Sequence, residues 1–172
     1  YDGYNSRSAP IISSWIQTCG HHNIPWEMIN KNSLEQLDTY DAVILPEVAF
    51  LEEKEIKALL AYAENGGKLI VIGNCGTLNK DYLPCESPFK NNSDVIMLER
   101  NEYAFPVEKR ATLHQRWDKS DAEIRLESDC WRPLNGVEKQ ERCKIISFLK
   151  EHVPECFLLE TPNAPEDLLV TA

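Results

Sequence analysis

The sequence predicts an α/β fold, a three-layer sandwich in which a mostly parallel sheet lies between two layers of helices. Residues 41–46 and 68–73 are short, nearly continuous apolar runs, which are typical of strands buried on both faces. Between them, apolar residues recur with the spacing of one helical face: Ile56, Leu59, Leu60 and Ala63. A strand, a helix and a strand joined by short turns predict a βαβ unit, whose two strands run parallel.

The helix of this unit has sequence signals at both ends. Its first turn contains three carboxylates that suit the positive end of a helix dipole: Glu52, Glu53 and Glu55. It is followed by Asn65-Gly66-Gly67, where a glycine can adopt the left-handed conformation that ends many helices. Solvated helix residues are therefore the favoured interpretation of these carboxylates, although with Glu47 they also suggest the acids of a glycosidase.

The residues before this unit continue the alternation of helices and strands. A first helix is expected between an N-cap at Ser8 and a stop at Gly20. Its apolar face is predicted to comprise Ile12, Trp15, Ile16 and Cys19. Residues 26–29 predict a short strand and residues 33–37 a single capped helical turn. Trp15 and Trp26 are both expected in the core.

The second half of the chain is less regular. Residues 78–135 are interrupted by four prolines and predict an irregular excursion that contains one strand, at 95–98. A helix follows over residues 137–152, with Ile145, Ile146 and Leu149 on its inner face. Residues 156–159 and 168–171 are candidate strands. The length of 172 residues suits one domain, so residues 1–172 are interpreted as a single α/β domain.

Composition narrows the classes of partner. The charged residues give 18 − 28 = −10, a sign that argues against nucleic acid and against an anionic membrane surface. No apolar run approaches the ~20 residues of a membrane helix. The six cysteines form no C-x-x-C pair and are interpreted as free thiols, which favours a cytoplasmic location over export, although their even number leaves disulfides possible. No phosphate-binding loop or metal-ligand pattern is present, so no cofactor and no metal is predicted.

Cys75 is the residue whose position most suggests chemistry. It lies in Gly73-Asn74-Cys75-Gly76-Thr77, directly after a predicted buried strand, where a nucleophile elbow would present a catalytic side chain. A cysteine nucleophile also needs a base, and the chain has four histidines: His21, His22, His114 and His152. None is assigned to Cys75 by the sequence pattern. The favoured interpretation is a turn cysteine without catalysis, and a cysteine-dependent hydrolase is the alternative.

Two further groups lie in the irregular segment. Asp118, Asp121 and Glu123 lack the spacing of a calcium loop and are interpreted as surface charge. Trp117 and Trp131 each stand beside charged residues. Packing beneath the excursion is favoured for them, and the alternative is an exposed platform that stacks on a sugar or another partner.

The strand–helix–Gly-Gly–strand arrangement over residues 40–73 resembles the class I glutamine amidotransferase-like superfamily and, more narrowly, the beta-galactosidase trimerisation domain, the middle domain of certain glycoside hydrolases. Tyr4-Asn5-Ser6-Arg7 and Asn23-Ile24-Pro25-Trp26 are similar to the entry of that domain, and the tail over residues 145–170 is similar to its exit. True amidotransferases have a late His-x-Glu pair, which His152-Val153-Pro154-Glu155 does not match.

The resemblance implies a flavodoxin-like fold with a non-catalytic role. A domain of this kind follows a catalytic TIM barrel and contributes to subunit contacts. The chain is therefore expected to be part of a longer glycoside hydrolase-type protein in carbohydrate metabolism. Its expected partners are further copies of itself or the neighbouring barrel, with carbohydrate as an additional candidate.

Overall fold

The computed structural model describes residues 8–103 and 136–157. Within them, three strands form a parallel sheet in the order β1 (Ala42–Pro46), β2 (Lys68–Ile72), β3 (Val95–Leu98). Val43 pairs with Leu69, which in turn pairs with Val95. The two apolar runs are thus adjacent and point the same way, as predicted, and the strand expected at 95–98 is also confirmed.

Alternating side chains of the sheet divide the core into two layers. One set faces helix α2 (Glu53–Glu64) and a 3-10 helix at Leu34–Thr39, and it includes Val43, Leu45, Leu69 and Val71. The other set faces helices α1 (Ser8–His21) and α4 (Gly136–His152), and it includes Ala42, Ile44, Ile70 and Ile72. The described residues therefore form the predicted α/β sandwich, with helices on both faces of a parallel sheet.

Helix α2 begins and ends where the sequence predicts. The backbone N–H of Glu52 donates to the Glu55 carboxylate at 2.7 Å, which completes a capping box at the first turn. Gly66 has φ +94°, in the left-handed region that few other residues occupy readily. Gly67 has a different requirement, since an added Cβ would lie 2.3 Å from the ring of Tyr62. Both glycines of the pair are thus needed, one for its backbone angle and one for space.

Helix α1 is present, but its buried face is rotated from the predicted one. Trp15 and Cys19 are buried as expected, whereas Ile12 and Ile16 are only half-buried and Ile11 is fully buried. The hydroxyls of Ser14 and Thr18, also on the buried face, donate to backbone carbonyls four residues earlier at 2.7 and 2.6 Å. Because these bonds satisfy the hydroxyls, polar residues can occupy the core side of the helix. Ser8 is also helical instead of being the cap, and the helix continues past Gly20 to His21.

The strand predicted at residues 26–29 is wrong, and so is the core position predicted for Trp26. The segment has no regular secondary structure, and Trp26 is 50% exposed. Ile24 packs in the core beneath α1, whereas Ile29 packs against the core beneath α2. The four residues between them therefore cross from one side of the sheet to the other, and a crossing chain cannot align its backbone in a ladder.

The last described residues form helices. A short helix α3 (Arg100–Tyr103) follows β3, and α4 presents Ile145, Phe148 and Leu149 to the core, where Ile146 is half-buried. A 3-10 helix at Pro154–Cys156 occupies the start of the strand predicted at 156–159, so that prediction is wrong over its described part. The remainder of that strand and the one predicted at 168–171 lie outside the described residues.

Candidate functional site at the carboxyl edge of the sheet

The chain segments that follow β1 and β2 continue the parallel pairing beyond the sheet itself. The N–H of Glu47 donates to the carbonyl of Ile72 at 2.8 Å, and that of Gly76 donates to the carbonyl of Val48 at 2.9 Å. Farther along, Phe50 and Leu78 form an isolated parallel bridge. Since the carboxyl ends of parallel strands are where ligands usually bind in open α/β sheets, Cys75 lies in the expected region for a site.

The Cys75 thiol is enclosed by backbone. The residue is fully buried in the core beneath α2. Its sulfur accepts a hydrogen bond from the N–H of Val48 at 3.3 Å, and the carbonyl oxygens of Leu45 and Ile72 lie 3.4 and 3.6 Å away as acceptors for the S–H. Burial raises the pKa of Cys75 to about 11. A thiol in this setting is protonated at neutral pH.

Two features of a nucleophile elbow are missing at Cys75 in the described chain. An elbow places its nucleophile on a strained turn between a strand and a helix. Here the positive φ angles belong to Gly73 (+70°) and Gly76 (+62°), not to Cys75. The segment from residue 73 to residue 94 consists of turns and isolated bridges, and no helix begins within it.

Glu47, at the same edge of the sheet, combines a strained backbone with a buried side chain. This residue has φ +47°, directly after the proline that ends β1, and its side chain is only 4% exposed. Its Oε2 lies 2.6 Å from Nε of Arg100, whose side chain is 38% exposed. The two atoms are within ion-pair distance but are not aligned as a hydrogen bond. A Cβ on Gly73 would lie 3.4 Å from both side chains, so the pair packs directly over the β2 turn.

The sequence pattern indicates Glu47 only as one of the candidate glycosidase acids and does not predict its ion pair with Arg100. A signal was present, since a single charge lies between the proline that ends β1 and the apolar run Val48-Ala49-Phe50. A carboxylate that such surroundings bury almost always has a charged partner.

The other acidic candidates lie where the helix-dipole interpretation places them. Lys54 contacts Glu52 at 3.1 Å, and Lys57 contacts Glu53 at 2.7 Å, all on the exposed first turns of α2. Glu55 serves the capping box. Three of the four candidate glycosidase acids thus stabilise a helix start, and the fourth is paired with Arg100.

In the described chain the hydrogen-bond partners of Cys75 are Val48, Leu45, Ile72 and Ser87, and none of them is a histidine. His21 and His22 lie at the end of α1. The ring of His152 packs on Phe148 at 4.5 Å between centroids, beneath α4 and therefore on the opposite face of the sheet from Cys75. The remaining sequence candidates lie outside the described residues: His114, Trp117, Asp118, Asp121, Glu123 and Trp131.

The structure also describes the state of the cysteines and the presence of metal-ligand clusters or membrane-spanning helices within its described residues. The five cysteines within them are free thiols. Over 8–103 and 136–157, no three His, Cys, Asp or Glu side chains come together as a metal site would require. No helix in these ranges has the length and apolar character needed to cross a membrane.

The fold and its edge define a class of domain: a parallel α/β sandwich whose turn cysteine is packed among backbone groups. Residues 5–129, well over half of the chain, match the family model of the beta-galactosidase trimerisation domain. The chain belongs to this family. The predicted function, a non-catalytic accessory and oligomerisation domain of a glycoside hydrolase, is confirmed by this match. No curated protein and no solved structure matches the chain.

Proposed function

We propose that this chain forms a single domain over residues 1–172 of a longer glycoside hydrolase-type protein and that its work is self-association. The observation that carries the proposal is the family match over residues 5–129. The family is described by its oligomerisation, so the partner proposed first is a second copy of the chain. A neighbouring TIM-barrel domain is the second proposed partner, and carbohydrate is the third.

We also propose that Cys75 is structural and that the fold derives from the class I glutamine amidotransferase-like superfamily. The position of Cys75 after the second strand supports the relationship. Its full burial, its backbone partners and its raised pKa support the loss of chemistry there. A reactive cysteine is usually partly exposed and has a lowered pKa, which is the opposite of this setting.

The net charge and the cysteines support two further proposals, one about the partners that the chain does not bind and one about its cellular compartment. A net charge of −10 disfavours nucleic acid and anionic membrane, because both attract basic proteins. Free thiols at five described positions favour a reducing compartment, and we propose the cytoplasm.

The test is sedimentation velocity of the 172-residue chain across a concentration series. We expect a reversible shift from monomer to a larger species as concentration rises. In parallel, the chain is assayed for hydrolysis of glutamine and of a sugar ester, and Cys75→Ala serves as the matched variant. Self-association without either activity supports the proposal.

Two results would contradict it. A chain that remains monomeric at every concentration has no oligomerisation function of its own. Hydrolysis that disappears in Cys75→Ala, while the variant remains folded by circular dichroism, would instead establish the cysteine-dependent hydrolase that the sequence leaves as the alternative.

A further inference from the structure

A rigid turn at the carboxyl edge of the sheet presents two large apolar side chains to solvent. In this turn, residues 79–83, Tyr82 is 68% exposed and Leu83 is 59% exposed. The ring of Tyr82 lies against that of Phe50, with centroids 5.1 Å apart. We name Tyr82, Leu83 and the supporting Phe50 the apolar tip.

The tip is held in place by backbone and side-chain hydrogen bonds. The N–H of Asn79 donates to the carbonyl of Leu83, and that of Tyr82 donates to the carbonyl of Asn79, both at 2.9 Å. The Asn79 side-chain oxygen accepts from the N–H groups of Asp81 and Leu83 at 2.9 and 3.0 Å. Below the turn, Leu78 bridges both Phe50 and Pro84. Because the turn is already ordered, little conformational entropy would be lost when a partner covers it.

The backbone of Tyr82 is not suited to an aromatic residue. Its φ is +59°, in the left-handed region where glycine and asparagine are favoured and bulky side chains are uncommon. A tyrosine here therefore contributes less to folding than an asparagine would. Backbone strain of this kind clusters at functional positions, and the exposed ring is available for contact with another molecule.

We propose that the apolar tip is an anchor of the contact between copies of this chain. The inference rests on the proposed self-association, and it deepens that function by naming the surface. The family match identifies the occupant as a second copy. A three-fold ring is closed by head-to-tail contacts, so the tip packs on a different surface of the next copy and not on its own equivalent.

The tip is an anchor and not the whole interface. A Tyr and a Leu together expose a few hundred Å² at most, whereas a stable interface buries about 800 Å² on each partner. Interfaces concentrate their binding energy in a few central residues, and tyrosine is enriched among them. Trp26 and Met28 are comparably exposed but lie outside the hydrogen-bonded turn of residues 79–83, so they serve as matched controls.

The test compares Tyr82→Asn with Met28→Asn in the 172-residue chain. Asparagine suits the left-handed backbone, so Tyr82→Asn should melt no lower than the unsubstituted chain. Its self-association, measured by sedimentation equilibrium, should weaken by at least about tenfold. Met28→Asn should associate within about threefold of the unsubstituted chain.

A second measurement does not depend on the stability of that variant. A photoreactive benzophenone side chain is placed at position 83 or, as the control, at position 28. We expect covalent dimers from position 83 only, and this result decides the matter if Tyr82→Asn melts early.

The outcomes separate the tip from the function on which it rests. If the unsubstituted chain associates but Tyr82→Asn associates equally well, or if position 83 gives no covalent dimer, the tip is not an anchor while self-association stands. If the unsubstituted chain is monomeric throughout, the proposed function and this inference are both overturned.

Discussion

Glu47 and Arg100 form an ion pair in which one partner is buried and the other is partly solvated. Glu47 is 4% exposed, so its carboxylate depends on the guanidinium for compensation. Arg100→Met retains much of the side-chain volume but removes the charge. We expect it to lower the free energy of unfolding by about 1–3 kcal/mol, below the value for a fully buried pair because water reaches Arg100.

Urea unfolding at neutral pH measures this effect, and Lys57→Met provides the control. Lys57 and Glu53 form a surface ion pair in which both side chains are mostly exposed, so loss of this pair should change the free energy of unfolding very little. Equal stability losses in the two variants would show that the buried carboxylate does not depend on Arg100.

Cys75 should be chemically silent in the folded chain. Its sulfur is buried and its pKa is raised to about 11, so very little thiolate is present at about pH 8. Cys85 is exposed and provides an internal control. Treatment with iodoacetamide followed by peptide mass spectrometry should show rapid alkylation of Cys85, and of Cys75 only after unfolding. Alkylation of both at similar rates would require an open, reactive Cys75.

At the scale of single residues, the sequence predicted the position of Cys75 but not its surroundings. Its place after a buried strand follows from a local pattern. Two of the backbone groups around its sulfur belong to Leu45 and Val48, which precede Cys75 by 30 and 27 residues, and no local pattern encodes them. The ion-pair partner of Glu47 was not predicted because it is also distant in the chain: Glu47 follows β1, whereas Arg100 follows β3.

At the scale of elements, the glycine pair after α2 combines two requirements. Gly66→Ala places a Cβ at φ +94° in open space and should cost about 1 kcal/mol of stability. Gly67→Ala forces the methyl against the ring of Tyr62, which must move and give up its hydrogen bond to the carbonyl of Tyr40 at 2.9 Å. We expect a larger cost, about 2–4 kcal/mol.

A double-mutant cycle with Tyr62→Leu tests this assignment by thermal or urea unfolding. Without the ring, Gly67→Ala should lose most of its effect, whereas Gly66→Ala should be unchanged. An undiminished Gly67→Ala cost in the Tyr62→Leu background would mean that contact with the ring is not the cause.

The elements that the sequence predicted correctly are those with signals inside their own residues. β1, α2 and β2 have apolar runs, a charged first turn and a glycine stop, and each lies where expected. Residues 26–29 are apolar enough for a strand, but a strand also needs a neighbour, and this segment instead crosses between the two cores. The buried face of α1 was predicted wrongly because it includes the polar residues Ser14 and Thr18. Their hydroxyls donate to carbonyls of the same helix, so these residues can be buried.

For the molecule as a whole, two thiols link stability to alkaline pH. Cys75 lies beneath α2 and Cys19 beneath α1, on opposite faces of the sheet. Burial raises the pKa of Cys75 to about 11 and that of Cys19 to about 12. In the unfolded chain both would ionise near their ordinary value of 9.0. A raised folded pKa means that the stabilisation is complete below about pH 9 and is lost as the pH rises toward the folded values.

Stability should therefore decline between about pH 8 and pH 10.5 by about 2 kcal/mol for each thiol, as an order of magnitude. Urea unfolding under reducing conditions at several pH values measures this decline.

Cys75→Ala should be less stable than the unsubstituted chain at about pH 8, because it leaves a cavity, but its stability should fall less as the pH rises to alkaline values. Cys85→Ala removes an exposed thiol and should retain the full decline. If Cys75→Ala and the unsubstituted chain decline in parallel, the thiol beneath α2 is not held neutral by the fold. Its burial would then impose no barrier to the thiolate that a cysteine-dependent hydrolase requires.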